Sequence, residues 1–201
     1  RRGLDDVFER ETARADHIGL NGYARDTTPR LASEPGVASL RATAAAAEQL
    51  GIATKDLLSI IMLESGGDPS IRGGAGNRHV GLIQFGPEEQ RKYGASQGQS
   101  ITEQMPAVVR YLMDRGVKPG MALPNVYAAV NAGQAHLTNR GDRKNGGIVD
   151  NIYEFTTGEK MKPFLNQAEG LLSAYPDIAK GAAEAAKANE TFVATLDNSS
   201  R

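Results

Sequence analysis

Apolar positions in residues 54–64 recur at the spacing of an α-helix. Leu57, Ile60 and Ile61 lie seven, four and three residues before Glu64, so the four side chains share one face of the predicted helix. Thr54 is its predicted N-cap, and a pair of glycines directly after Ser65 is its predicted stop. The pattern therefore places one carboxylate on an apolar stripe, in the last turn of a helix.

The same reasoning predicts a mainly helical chain. Alanine-rich sequence, proline starts and glycine stops mark further helices over 39–50, 87–94, 101–115, 124–133, 148–155, 164–175 and 177–188. Ser100 and Glu103 form a capping-box pattern, and Pro106 is expected to kink that helix or delay its start. Residues 66–80 hold five glycines and one proline, which predicts a loop or a small hairpin.

Composition narrows the function classes. The chain has 201 residues, enough for one well-buried core, and 23 basic against 24 acidic residues. That balance argues against nucleic-acid binding, which normally requires a basic surface. The absence of cysteine excludes disulfides and thiolate sites. No apolar run reaches the length of a membrane span, so no span is expected in this chain.

The position of Glu64 suggests acid chemistry. A carboxyl group on a core-facing stripe is partly desolvated, and the C-terminal end of a helix disfavours negative charge. Both effects favour the protonated form, which is the form that a general acid needs at neutral pH. The alternative is that Glu64 turns outward at a frayed helix end and is only solvated.

Three motifs resemble those of the lytic transglycosylase family, which shares the goose-type lysozyme fold. The run from Leu57 to Pro69, with Glu64-Ser65-Gly66 in it, resembles the family's catalytic motif. Residues 81–85, Gly-Leu-Ile-Gln-Phe, resemble its second signature, and residues 127–133 resemble its Ala-Tyr-Asn-x-Gly motif. The likeness covers roughly residues 40–157, with the motifs in the family's order. It implies a mainly α, lysozyme-like helical domain with a loop or β-hairpin beside the active site.

The resemblance implies that the chain cuts peptidoglycan. Glu64 would be the catalytic acid and base that cleaves between N-acetylmuramic acid and N-acetylglucosamine, leaving a 1,6-anhydro end without metal or cofactor. The implied substrate-binding residues are Ser65, Gln84, Phe85, Asn131 and Tyr153. Ser65 would contact substrate or orient Glu64, or would only be a hydroxyl at a helix end. Gln84 would hold an acetamido group with its amide, unless it is an exposed strand residue. Asn131 would first tie helices together through backbone hydrogen bonds.

One departure from the family concerns tyrosine. The family has tyrosine, near the catalytic acid, where this chain has Val130. Tyr153 is expected to return to the core and hydrogen-bond Glu64, with Tyr127 as the other candidate; plain core packing is the alternative for Tyr153. We therefore expect Tyr153→Phe to reduce activity more than Tyr127→Phe.

Two other functions remain open at this point. A second carboxylate could hold a water and make the chain a hydrolytic muramidase; Asp68, Asp142 and Asp150 are candidates, with Asp68 more plausible as a turn residue. The Val130 departure also leaves room for a non-catalytic glycan-binding or structural module. The histidines are not spaced as metal ligands: His79 is read as a loop residue near the groove and His136 as a surface residue.

The segment 76–85 and the run 103–106 look similar to transglycosylase domains embedded in phage virion proteins. This predicts a virion protein that acts in the host periplasm, with a bacterial periplasmic enzyme as the alternative. The expected partners are peptidoglycan glycan strands and other virion proteins at the terminal segments. The expected organisation is a linker or strap over 1–38, a catalytic domain over 39–157 and a C-terminal helical extension over 158–201. The start at Arg1 without methionine suggests an excised domain.

Overall fold

The computed structural model describes residues 34–145 and 147–180, and this part of the chain is mainly helical, as the sequence predicted. Its helices are α1 (Glu34–Leu50), α2 (Thr54–Ser65), α3 (Pro87–Tyr93), α4 (Ile101–Asp114), α5 (Leu123–Asn131), α6 (Ile152–Thr157) and α7 (Lys162–Ala174). Short 3₁₀ turns lie at Ala75–Asn77 and Arg143–Asn145, and residues 176–180 are helical. Most of the expected strap over 1–38, and residues 181–188 of the helix expected over 177–188, lie outside the described residues.

Helix α2 forms the centre of the core. Leu57, Ile60 and Ile61 are fully buried, as their helical spacing predicted. The helix packs against α1, α5 and α7. The contact with α7 brings Phe164 and Ala168 into the same core, so the first part of the expected C-terminal extension packs directly on the helix that carries Glu64.

The two ends of α2 differ in how well the sequence predicted them. Gly66 ends the helix in the left-handed conformation (φ 62°), and its N–H donates to Met62 O at 3.0 Å. The predicted N-cap was wrong: Ala53 is the capping position and Thr54 is the first helical residue. The hydroxyl of Thr54 is buried and finds no hydrogen-bond partner among the described residues.

The glycine-rich segment after α2 forms a small hairpin. Strand β1 (Arg72–Gly73) pairs antiparallel with β2 (His79–Val80), with Arg72 opposite Val80. The chain then closes a tight turn over residues 81–85, which we call the glutamine turn. Val80 and Phe85 exchange two backbone hydrogen bonds at its base, at 3.0 and 2.9 Å. The fold therefore places a hairpin and a turn immediately after the end of α2.

Helix α4 begins where its capping box predicted. The Ser100 hydroxyl accepts from Glu103 N, and the Glu103 carboxylate accepts from Ser100 N at 2.8 Å. Pro106 lies inside the helix and does not delay its start, contrary to one of the two expectations.

Helix α6 begins later than predicted. Residues 148–150 are not helical because the Asp142 segment holds their backbone: Val149 N donates to Asp142 Oδ1 at 3.0 Å, and Asp142 N donates to Val149 O at 2.9 Å. The helix starts only after Asn151, whose side chain caps it by accepting from Glu154 N.

Candidate active site

Glu64 lies in the last turn of α2, half-buried between two buried neighbours, Leu63 and Ser65. It follows the apolar stripe of Leu57, Ile60 and Ile61, as predicted. A carboxylate in this position is backed by the core on one side and reachable by a ligand on the other.

Ser65 connects the end of α2 to the glutamine turn. Its side chain is only 3% exposed, and its hydroxyl lies 2.9 Å from Ile61 O and 3.1 Å from Leu82 O. It also accepts from Gly67 N at 3.3 Å. These bonds are those of a hydroxyl at a helix end, the structural alternative considered from the sequence, and they tie that end to the glutamine turn.

Gln84 occupies the glutamine turn and is half-buried, so it is a turn residue and not the exposed strand residue of the alternative. Its backbone is left-handed (φ 56°), a conformation that non-glycine residues rarely adopt. The Nε2 atom donates to Gly81 O at 3.0 Å. That bond fixes the side chain while using none of the acceptor capacity of the amide oxygen. Residues held in a rare backbone conformation of this kind cluster at functional sites.

The predicted substrate contact of Phe85 needs correction. The ring is 1% exposed and packs edge-on against Tyr111, with centroids 5.7 Å apart. Its position in a run of apolar residues already favoured burial, and the fold removes it from any ligand-facing surface. Phe85 therefore supports the glutamine turn from the side of the core.

Tyr111 of α4 is a site neighbour that the sequence did not reveal. Its buried ring contacts Phe85, and its hydroxyl donates to Ala129 O of α5 at 3.2 Å. Burial raises the pKa of Tyr111 to about 12; Arg115 opposes this shift, while the charges of Glu89 and Glu64 add to it. The phenol therefore stays protonated at neutral pH and links the glutamine turn to α5.

Asn131 joins elements through its side chain, whereas the sequence predicted backbone hydrogen bonds. Its Nδ2 donates to Asp142 Oδ2 at 3.0 Å and to the Tyr127 hydroxyl at 3.4 Å. The Asn131 Oδ1 atom is buried and finds no hydrogen-bond partner within the described residues. Since the other oxygen of Asp142 accepts from Val149 N, this carboxylate is committed to holding the loop against α5.

The two candidate tyrosines are placed opposite to expectation. Tyr153 does not return to the core: it lies in the first turn of α6 and is 58% exposed. Tyr127 is 2% exposed, stacks on Phe155 with centroids 5.7 Å apart, and meets Asn131 through its hydroxyl. Helix α6 starts four residues later than predicted. The predicted periodicity of this short helix therefore did not show that Tyr153 faces solvent.

We therefore expect Tyr127→Phe to reduce glycan cleavage more than Tyr153→Phe, the reverse of the order that the sequence favoured. Loss of the Tyr127 hydroxyl removes one of the two partners of Asn131 Nδ2, which should also lower stability by about 1 kcal/mol. Turnover and thermal unfolding of the two variants provide the measurement. A greater loss of turnover in Tyr153→Phe would contradict this order and would favour the exposed Tyr153 as the functional tyrosine.

Gln104 of α4 is the second residue that sequence reasoning missed. It is 0% exposed, yet its side chain makes three hydrogen bonds, which reach the segment before the hairpin, the glutamine turn and the segment after α3. Its Oε1 accepts from Leu82 N at 2.7 Å, and its Nε2 donates to Pro69 O at 3.2 Å and to Ser96 O at 3.1 Å. A signal existed: Gln104 shares the apolar face of α4 with Val108 and Tyr111, where an amide must find partners.

The remaining candidates occupy peripheral or structural positions. Asp68 accepts from the backbone and hydroxyl of Ser70, as expected for a turn residue, and Asp150 pairs with Arg143. His79 belongs to strand β2 and not to a loop, and its ring packs closely over Gly74. His136 is exposed, as predicted.

Neither protein-family models, nor curated proteins, nor solved structures give a match to this chain. The structure itself shows the mainly helical class, whereas the lysozyme-like fold stays a prediction. Across residues 34–145 and 147–180, no group of three or more His, Cys, Asp or Glu side chains is placed to hold a metal ion. Over the same residues, the helices are too short or too polar to cross a membrane.

Proposed function

We propose that this chain is a lysozyme-like lytic transglycosylase that cleaves the β-1,4 bond between N-acetylmuramic acid and N-acetylglucosamine in peptidoglycan. The observation that carries the proposal is the position of Glu64: a half-buried carboxylate at the end of a buried apolar stripe, joined through Ser65 to the turn that holds Gln84. The proposal also rests on the resemblance of the three motifs.

Glu64 performs both proton transfers. Its carboxyl group donates a proton to the glycosidic oxygen as the bond to the muramic C1 breaks and an oxocarbenium-like sugar develops. The resulting carboxylate takes the proton of the C6 hydroxyl as that oxygen bonds to C1. The product carries a 1,6-anhydro ring, and Glu64 ends protonated as it began, so no co-reactant is consumed.

The other carboxylates considered from the sequence support a single-acid reaction. Asp142 is bonded to Asn131 and Val149, Asp150 to Arg143, and Asp68 to Ser70. A hydrolase needs a second carboxylate that holds a water across the sugar ring. Because each of these groups is committed to the fold, transfer to the substrate's own hydroxyl is the reaction that the site favours.

The product identifies the reaction. Peptidoglycan digested by the protein in ¹⁸O-labelled water should yield fragments that end in 1,6-anhydromuramic acid and carry no label, as measured by mass spectrometry. Reducing ends that carry one labelled oxygen would assign the chain to the hydrolytic muramidases. Absence of any released fragment would favour a glycan-binding module.

The setting of this activity is also a proposal. The likeness of residues 76–85 and 103–106 to transglycosylase domains of phage virion proteins supports local opening of the wall in the host periplasm during genome delivery. Glycan strands would be the substrate, and the terminal segments would meet other virion proteins. No cofactor is required by the proposed reaction.

A further inference from the structure

Tyr111 connects two parts of the site. One is the glutamine turn, residues 81–85, which ends at Gly86. The other is residues 131–135, the last residue of α5 and the four residues after it, which we call the asparagine loop. Tyr111 contacts Phe85 of the first part and hydrogen-bonds Ala129, two residues before the second. The distance between Gln84 and Asn131 therefore depends on what holds these two parts together.

An ion pair spans them. Arg115, directly after α4, donates from its NH2 group to Glu89 Oε1 of α3 at 2.9 Å. Both side chains are partly buried, and the guanidinium lies over the Tyr111 ring, 5.2 Å from its centroid. The pair thus lies beside the same tyrosine that contacts the glutamine turn and hydrogen-bonds α5 just before the asparagine loop.

Glu89 fixes the end of the glutamine turn. Its Oε2 atom lies 2.6 Å from the place that a Cβ on Gly86 would take, so the carboxylate packs directly on that glycine. The next residue, Gln90, donates from Nε2 to Phe85 O at 2.7 Å and to Arg78 O at 2.7 Å. The first half of α3 therefore holds the turn from its C-terminal side.

Arg115 fixes the asparagine loop. Its NH1 group donates to Gly133 O at 3.4 Å, and its backbone oxygen accepts from Ala135 N at 2.9 Å. The planar guanidinium can hold a carboxylate and a carbonyl at once because its donors point in fixed, different directions. A single side chain thus contacts both the loop and the partner of the turn.

Resting on the proposed function, we infer that the Glu89–Arg115 ion pair is a positioning pair, which sets the spacing of Gln84 and Asn131 and thereby the affinity for the glycan strand. The role assigned to the pair is to hold these two parts in place, not to transfer a proton. The pair lines a cleft of about 330 Å³ together with Glu88, Lys92, Tyr93 and Asp114. None of these six residues was predicted for the site from the sequence.

That cleft supplies a matched control. Lys92 and Asp114 form a second ion pair of the same length class, 2.8 Å, on the wall of the same cleft. This pair joins α3 to the end of α4. Among the described residues, no side-chain hydrogen bond connects it to the glutamine turn or the asparagine loop. Lys92→Gln therefore removes a more exposed ion pair from the same cleft and should not alter the spacing of the two parts.

Binding of purified, peptide-free glycan strands by calorimetry tests the inference without requiring catalysis. In a Glu64→Gln background, Glu89→Gln and Arg115→Gln should each weaken binding about tenfold, since displaced binding groups lose affinity steeply. The double variant should be no weaker than the single ones, because the two groups act as one unit. Lys92→Gln should stay within about twofold of its parent.

Kinetics with Glu64 present separates positioning from general loss of structure. Both single variants should raise KM about tenfold while kcat stays within about threefold. Arg115→Lys should recover part of the affinity, because a lysine keeps the charge for Glu89 but cannot also hold Gly133 O. Folding of every variant is checked by thermal unfolding.

Three binding results would overturn the positioning role. They are unchanged binding in folded Glu89→Gln or Arg115→Gln, additive losses in the double variant, and an equal loss in Lys92→Gln. A fall in kcat at constant KM would overturn it as well, since the pair would then act on the chemical step. If the variants weaken glycan binding as described but the wild-type chain releases no fragments, the proposed catalysis fails while the inference stands.

Discussion

Glu64→Gln should abolish release of glycan fragments from peptidoglycan, with a loss of at least about 10³-fold, or ~4 kcal/mol of transition-state stabilisation. Glutamine keeps the shape and the half-buried position of the side chain but can neither donate the proton to the glycosidic oxygen nor take one from the C6 hydroxyl. Fragment release measured by chromatography of the soluble products gives the result.

The thermal midpoint of Glu64→Gln at neutral pH should be unchanged or higher than that of the wild type. The residue follows a buried apolar stripe and ends a helix whose C-terminal dipole disfavours negative charge. Glu154→Gln is the matched control, because it removes an exposed carboxylate on α6 and should leave turnover unaltered. Full activity in Glu64→Gln would contradict the catalytic assignment. An inactive but clearly destabilised variant would contradict the inference that the Glu64 carboxyl is desolvated.

Binding without cleavage in the wild type would be equally informative. Val130, in place of the family's tyrosine, is the feature that keeps a non-catalytic module open, and the structure shows it partly buried against the core. Retained glycan affinity with no fragments at any protein concentration would select that reading. The Glu64→Gln variant would then behave as the wild type does.

The central helix could be predicted because its signal is redundant. Leu57, Ile60 and Ile61 agree with the helical period, and Gly66 supplies the left-handed residue that ends the helix. The N-terminus of this helix was less predictable than its C-terminus. Ala53 and Thr54 are adjacent, and only the backbone geometry decides which of them is the capping residue. The capping box at Ser100 succeeded because it requires two residues at a fixed spacing.

The side-chain assignments failed where they depended on distant contacts. Tyr153 lies in a short helix that starts late because Asp142 holds residues 148–150 out of it, and Tyr127 is covered by Phe155 of that helix. Phe85 and Tyr111 meet across 26 positions of sequence, which no local pattern encodes. A family motif identifies the turn that carries Gln84 but gives no account of what supports it.

Gln104 shows what that support consists of, and its replacement is expected to have the largest effect on stability. Gln104→Ala leaves Leu82 N, Pro69 O and Ser96 O without their buried partner and opens a cavity on the core side of α4. We expect a loss of about 3 kcal/mol, which is roughly 6–12 °C in the thermal midpoint for a chain of this size. Thermal unfolding followed by circular dichroism measures it.

Gln104→Glu tests whether hydrogen-bond donation, and not shape, is what the site needs. The carboxylate can still accept from Leu82 N, but its second oxygen faces the acceptors Pro69 O and Ser96 O. Burial among carbonyl oxygens should raise the folded pKa of the introduced carboxyl above its unfolded value of about 4.3. The folded state then holds the proton more tightly, so the variant should be nearly as stable as wild type at about pH 4 and lose stability as the pH rises through the folded pKa. The difference in thermal midpoint between variant and wild type, measured from pH 4 to pH 8, gives this dependence. A difference that stays constant across that range would show that the introduced carboxyl escapes to solvent, and that Gln104 does not hold the glutamine turn in the way its three hydrogen bonds indicate.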